Sequence, residues 1–189
     1  MLTIRHKDTG AVLLQSPTKA TSFDLSVKGL QGADFRQLDL RHSTFDSSFL
    51  DGADFEGANL SFCWFSGAML RHTIFRRAKL SCARLAHAAM SHALCDGANL
   101  RSADLSFAIL RNASLREADL SGCLFYKTSL EGADFTGADI SQAIFARCPS
   151  LHLAKGLSEV VWSRPASLDM STHHACGSHL PPSFLRAIE

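Results

Sequence analysis

From position 35 to position 145 every fifth residue is large and apolar, Cys95 alone excepted. The series opens Phe35, Leu40, Phe45, Leu50, Phe55, Leu60 and closes Phe125, Leu130, Phe135, Ile140, Phe145. Two residues before each stands a small one (Ala, Ser, Thr or Cys), and only Leu38 breaks that second rule. The result is 23 consecutive five-residue units without an insertion. A period of five fits neither a helix at 3.6 nor a strand at 2. On an α-helix five residues overshoot a full turn by about 140°, which would spread these side chains around the whole circumference. A chain that turns a corner every five residues does satisfy the pattern. Each side then points one large and one small side chain inward, four sides close a coil, and residues twenty apart lie one above another. The three other places of each unit face water. Gly52, Gly57, Gly67, Gly97, Gly122, Gly132 and Gly137 fall in the last place of their units, where a corner asks for positive φ.

This geometry sorts the core into columns. Leu40, Leu60, Leu80, Leu100, Leu120 and Ile140 make one, and Leu50, Leu70, Met90, Leu110 and Leu130 face it. The other opposed pair holds the phenylalanines: Phe35, Phe55, Phe75 and Phe135 against Phe45, Phe65, Phe125 and Phe145. At ~4.8 Å per stacked strand the units predict about six coils, a rod roughly 28 Å long. No Phe enters the core between Leu80 and Leu120, which predicts a narrower or softer waist.

Ala33-Asp34-Phe35, Ala58-Asn59-Leu60, Ala103-Asp104-Leu105, Ala118-Asp119-Leu120 and Ala133-Asp134-Phe135 resemble the A(D/N)LXX signature of the pentapeptide-repeat family. The resemblance covers roughly residues 21–148. It implies an all-β fold, a right-handed quadrilateral β-helix, and it implies function by binding rather than catalysis. Among members of that family it is the loop-free type that this chain resembles, a type that includes proteins protecting DNA gyrase and topoisomerase IV from quinolones or peptide toxins. Such proteins present a rod of B-DNA-like width whose acidic surface occupies the enzyme's DNA-binding saddle.

Outside the repeat, Leu2–Lys7 and Ala11–Gln15 flank Asp8-Thr9-Gly10, a hairpin turn signal. Residues 1–20 are therefore expected to form an N-terminal β-hairpin cap, 21–148 the β-helix, and 149–189 a C-terminal cap or tail. Within that tail Leu151–Gly156 reads as a short helical turn and Val160-Val161-Trp162 as strand-like. Pro181 and Pro182 open a final helix whose Phe184, Leu185 and Ile188 share a face. That face either folds back as a cap or forms a homodimer, as in some proteins of the family.

The chain carries 19 Lys+Arg against 18 Asp+Glu, so net charge selects no partner class. No apolar run is long enough for a bilayer, and Arg5 to Asp8 interrupt any leader-like segment. Six cysteines without a CxxC pair indicate neither a disulfide framework nor a zinc site, and fit a reducing, cytoplasmic setting. No phosphate loop, HExxH or nucleophile elbow occurs. His173-His174-Ala175-Cys176-Gly177-Ser178-His179 matches no zinc spacing and reads as a polar loop. The expectation is a protein with no enzymatic activity, cofactor or metal.

The residue just before each large one points outward. Phe49, Met69, Ala89 and Ile109 should form an apolar stripe, with Phe107 beside its end and Trp64, Leu124 and Ile144 on the next face. An exposed patch of this kind marks a partner surface. A second column, Asp39, Asn59, Asn99, Asp119 and Asp139, is acidic or amide apart from Lys79, and is the candidate DNA-mimic face. The basic girdle Arg71, Arg76, Arg77, Lys79 and Arg84 departs from the family's acidic mimics and would meet a DNA-binding saddle with the wrong sign. It also lacks interleaved aromatics for direct nucleic-acid binding. Two functions follow: topoisomerase protection against a quinolone or toxin, implied by the resemblance, or a protein-interaction scaffold working through the stripe.

Overall fold

From unit to unit the backbone N–H groups follow one scheme, and that scheme defines the architecture. The large residue donates to the outward residue of the following rung, as Phe55 N–H does to Ile74 O at 2.8 Å. The outward residue donates back to a small residue's carbonyl, as Asp54 N–H does to Ala33 O at 2.8 Å. Each small residue closes a corner, as in Ala53 N–H to Leu50 O at 2.9 Å, and each corner's second residue bonds up the rod, as in Gly57 N–H to Arg76 O at 2.9 Å. That leaves the N–H of the first corner residue. Where Asp or Asn stands in the outward place, its Oδ1 takes that N–H: Asp54 from Glu56 (2.9 Å), Asp104 from Ser106 (2.9 Å), Asp119 from Ser121 (3.0 Å), Asp134 from Thr136 (3.0 Å). The Asp or Asn of the signature is thus a turn residue whose side chain holds the backbone two positions on.

The computed structural model of the chain describes residues 2–16, 22–176 and 179–188. Parallel bridges join outward residues twenty apart on four faces, beginning at Asp34↔Asp54, Asp39↔Asn59, Asp24↔Thr44 and Gly29↔Phe49. Where the ladder is most regular, β3 (Leu124–Tyr126) pairs in parallel with β4 (Ile144–Ala146), which pairs with β5 (Ser167–Leu168). Side chains from Leu25 to Phe145 at the large places are buried to 2 % exposure or less. Phenylalanine rings stack along the rod, Phe35 on Phe55 at 4.5 Å and Phe125 on Phe145 at 4.7 Å, and meet edge-on across it, Phe35 to Phe45 at 5.8 Å. At the waist the rungs keep the same bonds, with Cys95 N–H to Ser114 O at 2.7 Å and Leu105 N–H to Leu124 O at 3.0 Å.

Corners demand more than glycine. The second corner residue has positive φ at Gln37, His42, Phe62, Arg77, His87, Phe107, Lys127 and other non-glycine positions as well as at the glycines. Polar residues at the small places also do more than fill space. Cys63 Sγ donates to Leu40 O (2.9 Å), Thr73 Oγ1 to Leu50 O (3.1 Å), Cys123 Sγ to Leu100 O (3.0 Å) and Thr128 Oγ1 to Leu105 O (2.8 Å).

At the N-terminal end β1 (Leu2–Arg5) and β2 (Val12–Ser16) form an antiparallel hairpin. It lies along the open edge of the first rung, with Asp34 N–H to Arg5 O at 2.7 Å and Lys7 N–H to Gly32 O at 2.8 Å. The boundary expected at residue 148 is corrected at the other end. Lys155, Val161 and Ser167 bridge to Asp134, Asp139 and Ile144, so a further rung follows, with extra residues in its corners. The column from Asp34 through Asp54, Ile74, Leu94, Ser114 and Asp134 to Lys155 therefore shows seven levels. The insertions, including the 3-10 turn Leu151–Leu153, shift the inward places out of the five-residue register.

Two short helices, α1 (Met170–Cys176) and α2 (Pro182–Arg186), pack on that last rung. Thr172 Oγ1 accepts Cys148 N–H at 2.9 Å, and Ala166 N–H donates to Ala187 O at 2.7 Å. Phe184 is fully buried, its ring 5.9 Å from that of Phe145. Of the two readings of the Phe184, Leu185 and Ile188 face, cap or homodimer, the single chain shows the fold-back: Phe184 belongs to its own core, and Leu185 and Ile188 are half-buried against it. His173 and His174 are exposed on α1, whereas Gly177 and Ser178 lie outside the described residues. No described helix is long and apolar enough to cross a membrane.

Candidate partner-binding surface

Since every inward place is filled by core, the four outer faces and their corners are what another molecule can meet. The face bearing Gly29, Phe49, Met69, Ala89, Ile109 and Ser129 holds no charged side chain in its outward column. Phe49 and Ile109 are each 41 % exposed, and Phe107, at the adjoining corner, 38 %. The predicted stripe is therefore one continuous column of bridged neighbours. Isolated apolar side chains on a surface are ordinary, whereas these are aligned on one β face.

The corner beside this face adds residues that sequence reading overlooked. His87 stacks on Phe107 at 4.6 Å, Phe107 meets Tyr126 edge-on at 5.3 Å, and Lys127 Nζ sits 5.5 Å from the Phe107 centroid. The common place of His87, Phe107 and Lys127 one rung apart was the available signal. On the next face Trp64 is 47 % exposed beneath the Arg84 guanidinium, 4.7 Å from its ring centroid. Leu124 and Ile144 occupy the same column further on.

The column of Asp39, Asn59, Lys79, Asn99, Asp119 and Asp139 is also assembled by the rungs, but two of its three aspartates are paired with arginines of the chain. Arg41 grips Asp39 with Nε at 2.9 Å and Nη2 at 2.8 Å, and that bond holds the carboxyl below its ordinary value. Arg101 Nη1 reaches Asp119 at 3.2 Å, while Ser121 and Ser141 hydroxyls donate to Asp119 (2.5 Å) and Asp139 (2.6 Å). The girdle is likewise not of one sign. Arg71 pairs with Asp51 at 2.7 Å in the rung before, and Arg76 with Asp96 at 3.4 Å in the rung after. The basic girdle expected from the sequence is thus tied to the coils on either side by ion pairs.

All six cysteines are free thiols. Burial pushes the Cys63, Cys95 and Cys123 thiols up to about 12, so they are held as inert, neutral groups. Among the described residues no set of three or more His, Cys, Asp or Glu is arranged to hold a metal ion.

The family model for pentapeptide repeats matches the chain in eight copies, over residues 30–61, 39–77, 78–116 and 113–148. Solved structures of similar fold include QnrB1, described as a plasmid-mediated fluoroquinolone resistance protein: 19% identity, 79% of this chain and 80% of that one, TM-score 0.49. Another is a pentapeptide repeat protein of the Arabidopsis thaliana thylakoid lumen, at 30% identity over 55% of this chain and 69% of that one, TM-score 0.32. A third is HetL of the cyanobacterium Nostoc, involved in heterocyst differentiation regulation, at 23% identity over 75% and 86%, TM-score 0.27. No curated protein matches by sequence.

Proposed function

The chain belongs to the pentapeptide-repeat family, and from that premise we propose that it is a non-enzymatic binding protein docking a partner protein on its uncharged face. The observation that carries this reading is the unbroken column Phe49, Met69, Ala89, Ile109, with Phe107 at its corner and two of its residues 41 % exposed. A partner of matching chemistry presents an apolar strip, for example one side of an amphipathic helix, with polar groups outside it for the flanking Arg71, Arg111 and Lys127. Anchors such as Phe49 and Phe107 are the residue types expected to concentrate binding energy.

Site-specific photo-crosslinking tests it. A benzophenone side chain placed at position 49 or 109 should yield one discrete adduct in native extract, and one at position 79 on the Asp39–Asp139 face should not. Equal labelling from positions 49 and 79 would remove the proposal.

Topoisomerase protection, which the family resemblance implies, needs a contiguous anionic face. The pairing of Asp39 with Arg41 and of Asp119 with Arg101, with Lys79 between, works against one. Gyrase supercoiling with ciprofloxacin should therefore not be rescued by this protein. Rescue, weakened by Asp119→Lys with Asp139→Lys, would reinstate the mimic face.

A further inference from the structure

We propose that the face adjoining the uncharged one, carrying Thr44, Trp64, Arg84, Asp104, Leu124 and Ile144, is a self-complementary surface on which a second copy of the chain docks antiparallel. The column is a ruler: its outward residues are bridged in parallel at every rung from Asp24 to Ile144, so their spacing is uniform and equal in both copies. Consider a two-fold axis crossing the face midway between Arg84 and Asp104. It sets Arg84 opposite Asp104 of the second copy and Asp104 opposite its Arg84. It also sets Trp64 opposite Leu124 and Thr44 opposite Ile144, each twice. Ion pairs occupy the centre and apolar pairs flank them. Moving the axis by half a rung places Arg84 on Arg84 or Asp104 on Asp104, which charge disfavours, and moving it by a whole rung loses both ion pairs.

The corners agree with it. Asp46 comes level with Ala146 and its neighbour Arg147, His87 with Phe107, Ser81 with Arg101 and Arg41 with Ser141, so no like charges meet. Arg84 and Asp104 are also free for the purpose. Seven other arginines pair with carboxylates within the chain, whereas Arg84 lies over Trp64 and Asp104 accepts only Ser106 N–H. A shallow depression lined by Ser66, Cys82, Ala86, Ser102 and these two residues gives an incoming Arg84 room to reach Asp104. Trp64, although Arg84 lies over its ring, is still 47 % exposed, and Ile144 is 43 % exposed.

From Thr44 to Ile144 the contact is about 24 Å tall at ~4.8 Å per rung. One face of that height falls below the ~800 Å² per partner of a standard interface, which places it among weak associations. In such a dimer the corner holding His87 and Phe107 meets its own copy. The two uncharged faces then lie on the same side, making the assembly bivalent toward a partner.

Sedimentation equilibrium of the full chain between about 5 and 500 μM tests the proposal. A monomer–dimer equilibrium is expected that weakens several-fold from 50 to 500 mM NaCl, as screened ion pairs require. Arg84→Asp should raise the dimer Kd at least tenfold, and R84D/D104R should restore it, with circular dichroism reporting folding. Should that double variant misfold, Asp104→Asn, which keeps the bond from Ser106 N–H, should weaken the dimer, as should Trp64→Ser. Phe49→Ser with Met69→Ser should leave it unchanged, separating this face from the partner-docking one. A chain that stays monomeric throughout, or an R84D variant that dimerises like the parent, would overturn the proposal.

Discussion

Single residues show how the repeat sets its own rules. The buried thiols are the clearest case. Cys63, Cys95 and Cys123 have native values of about 12 against an ordinary 9.0, raised chiefly by burial. A raised thiol favours the neutral folded form below pH 9, and that advantage drains away as pH climbs from 9 toward 12, at about 1.4 kcal/mol per thiol per pH unit. Cys63→Ala with Cys123→Ala, which restores the alanine of the repeat, should flatten the decline of unfolding free energy between pH 9 and 11 measured in denaturant. In the native protein at neutral pH only exposed Cys82 should react rapidly with a thiol reagent, giving about one equivalent until denaturant is added. Corner positions supply a second test. Gly52 and Gly156 both have φ near +69°, but a Cβ at Gly52 meets open space, whereas at Gly156 it would run into Thr136 N and Oγ1. Gly52→Ala should cost about 1 kcal/mol, the left-handed penalty alone, and Gly156→Ala clearly more, because backbone must move. Phe62, His87 and Arg77 carry the left-handed penalty already, offset by the rung bonds their corners make.

At the scale of elements, legibility followed the register. The stack of coils was readable because two inward places recur at a spacing no helix or strand can use, and the bridges from Asp34 to Asp134 fall where that spacing puts them. The uncharged face was readable for the same reason, since a fixed period makes the outward column as predictable as the inward one. The last rung was not. Its corners grow beyond the period, so Lys155, Val161 and Ser167 pair with residues 21, 22 and 23 positions back, and periodicity has no signal for an insertion. Ion pairing was equally hidden, because whether Arg101 turns toward Asp119 depends on rotamers and not on spacing. The final helix was read as a face with two alternative destinations, cap or homodimer, and Phe145 is what Phe184 meets, while α1 stands where a polar loop was read. Phe184→Ala should therefore cost about 3–5 kcal/mol, in the range of buried aromatic truncations. Its effect should be local: hydrogen exchange ought to quicken at Phe145, Cys148 and Thr172 while Phe35 and Phe55 stay protected.

Over the whole molecule, stability is a one-dimensional sum, because each rung touches only the rungs above and below it. The terms are unequal. Phe35, Phe55 and Phe75 with Phe45 and Phe65 form one aromatic block, and Phe125, Phe135, Phe145 and Phe184 form another. Ring pairs contribute about 0.5–1.5 kcal/mol each beyond the area they bury. Between the blocks the inward places hold Leu80, Leu85, Met90, Cys95, Leu100, Leu105, Leu110, Leu115 and Leu120, with backbone bonds as short as elsewhere but no aromatic term. Backbone bonds and ring stacking both hold the chain in register, yet only the stacking depends on side-chain shape, so the waist is where cooperativity is weakest. Leu105→Ala removes a fully buried side chain there and should cost about 2–5 kcal/mol. More telling is how the loss is distributed. In a stacked rod a weakened middle interface uncouples its neighbours, so the variant should unfold in two denaturant steps, one from each aromatic block. Phe55→Ala, of comparable cost, sits inside a block and should merely lower that block's midpoint. A single coincident transition for Leu105→Ala, followed by both near-ultraviolet and far-ultraviolet signals, would mean that the backbone ladder alone carries cooperativity through the waist.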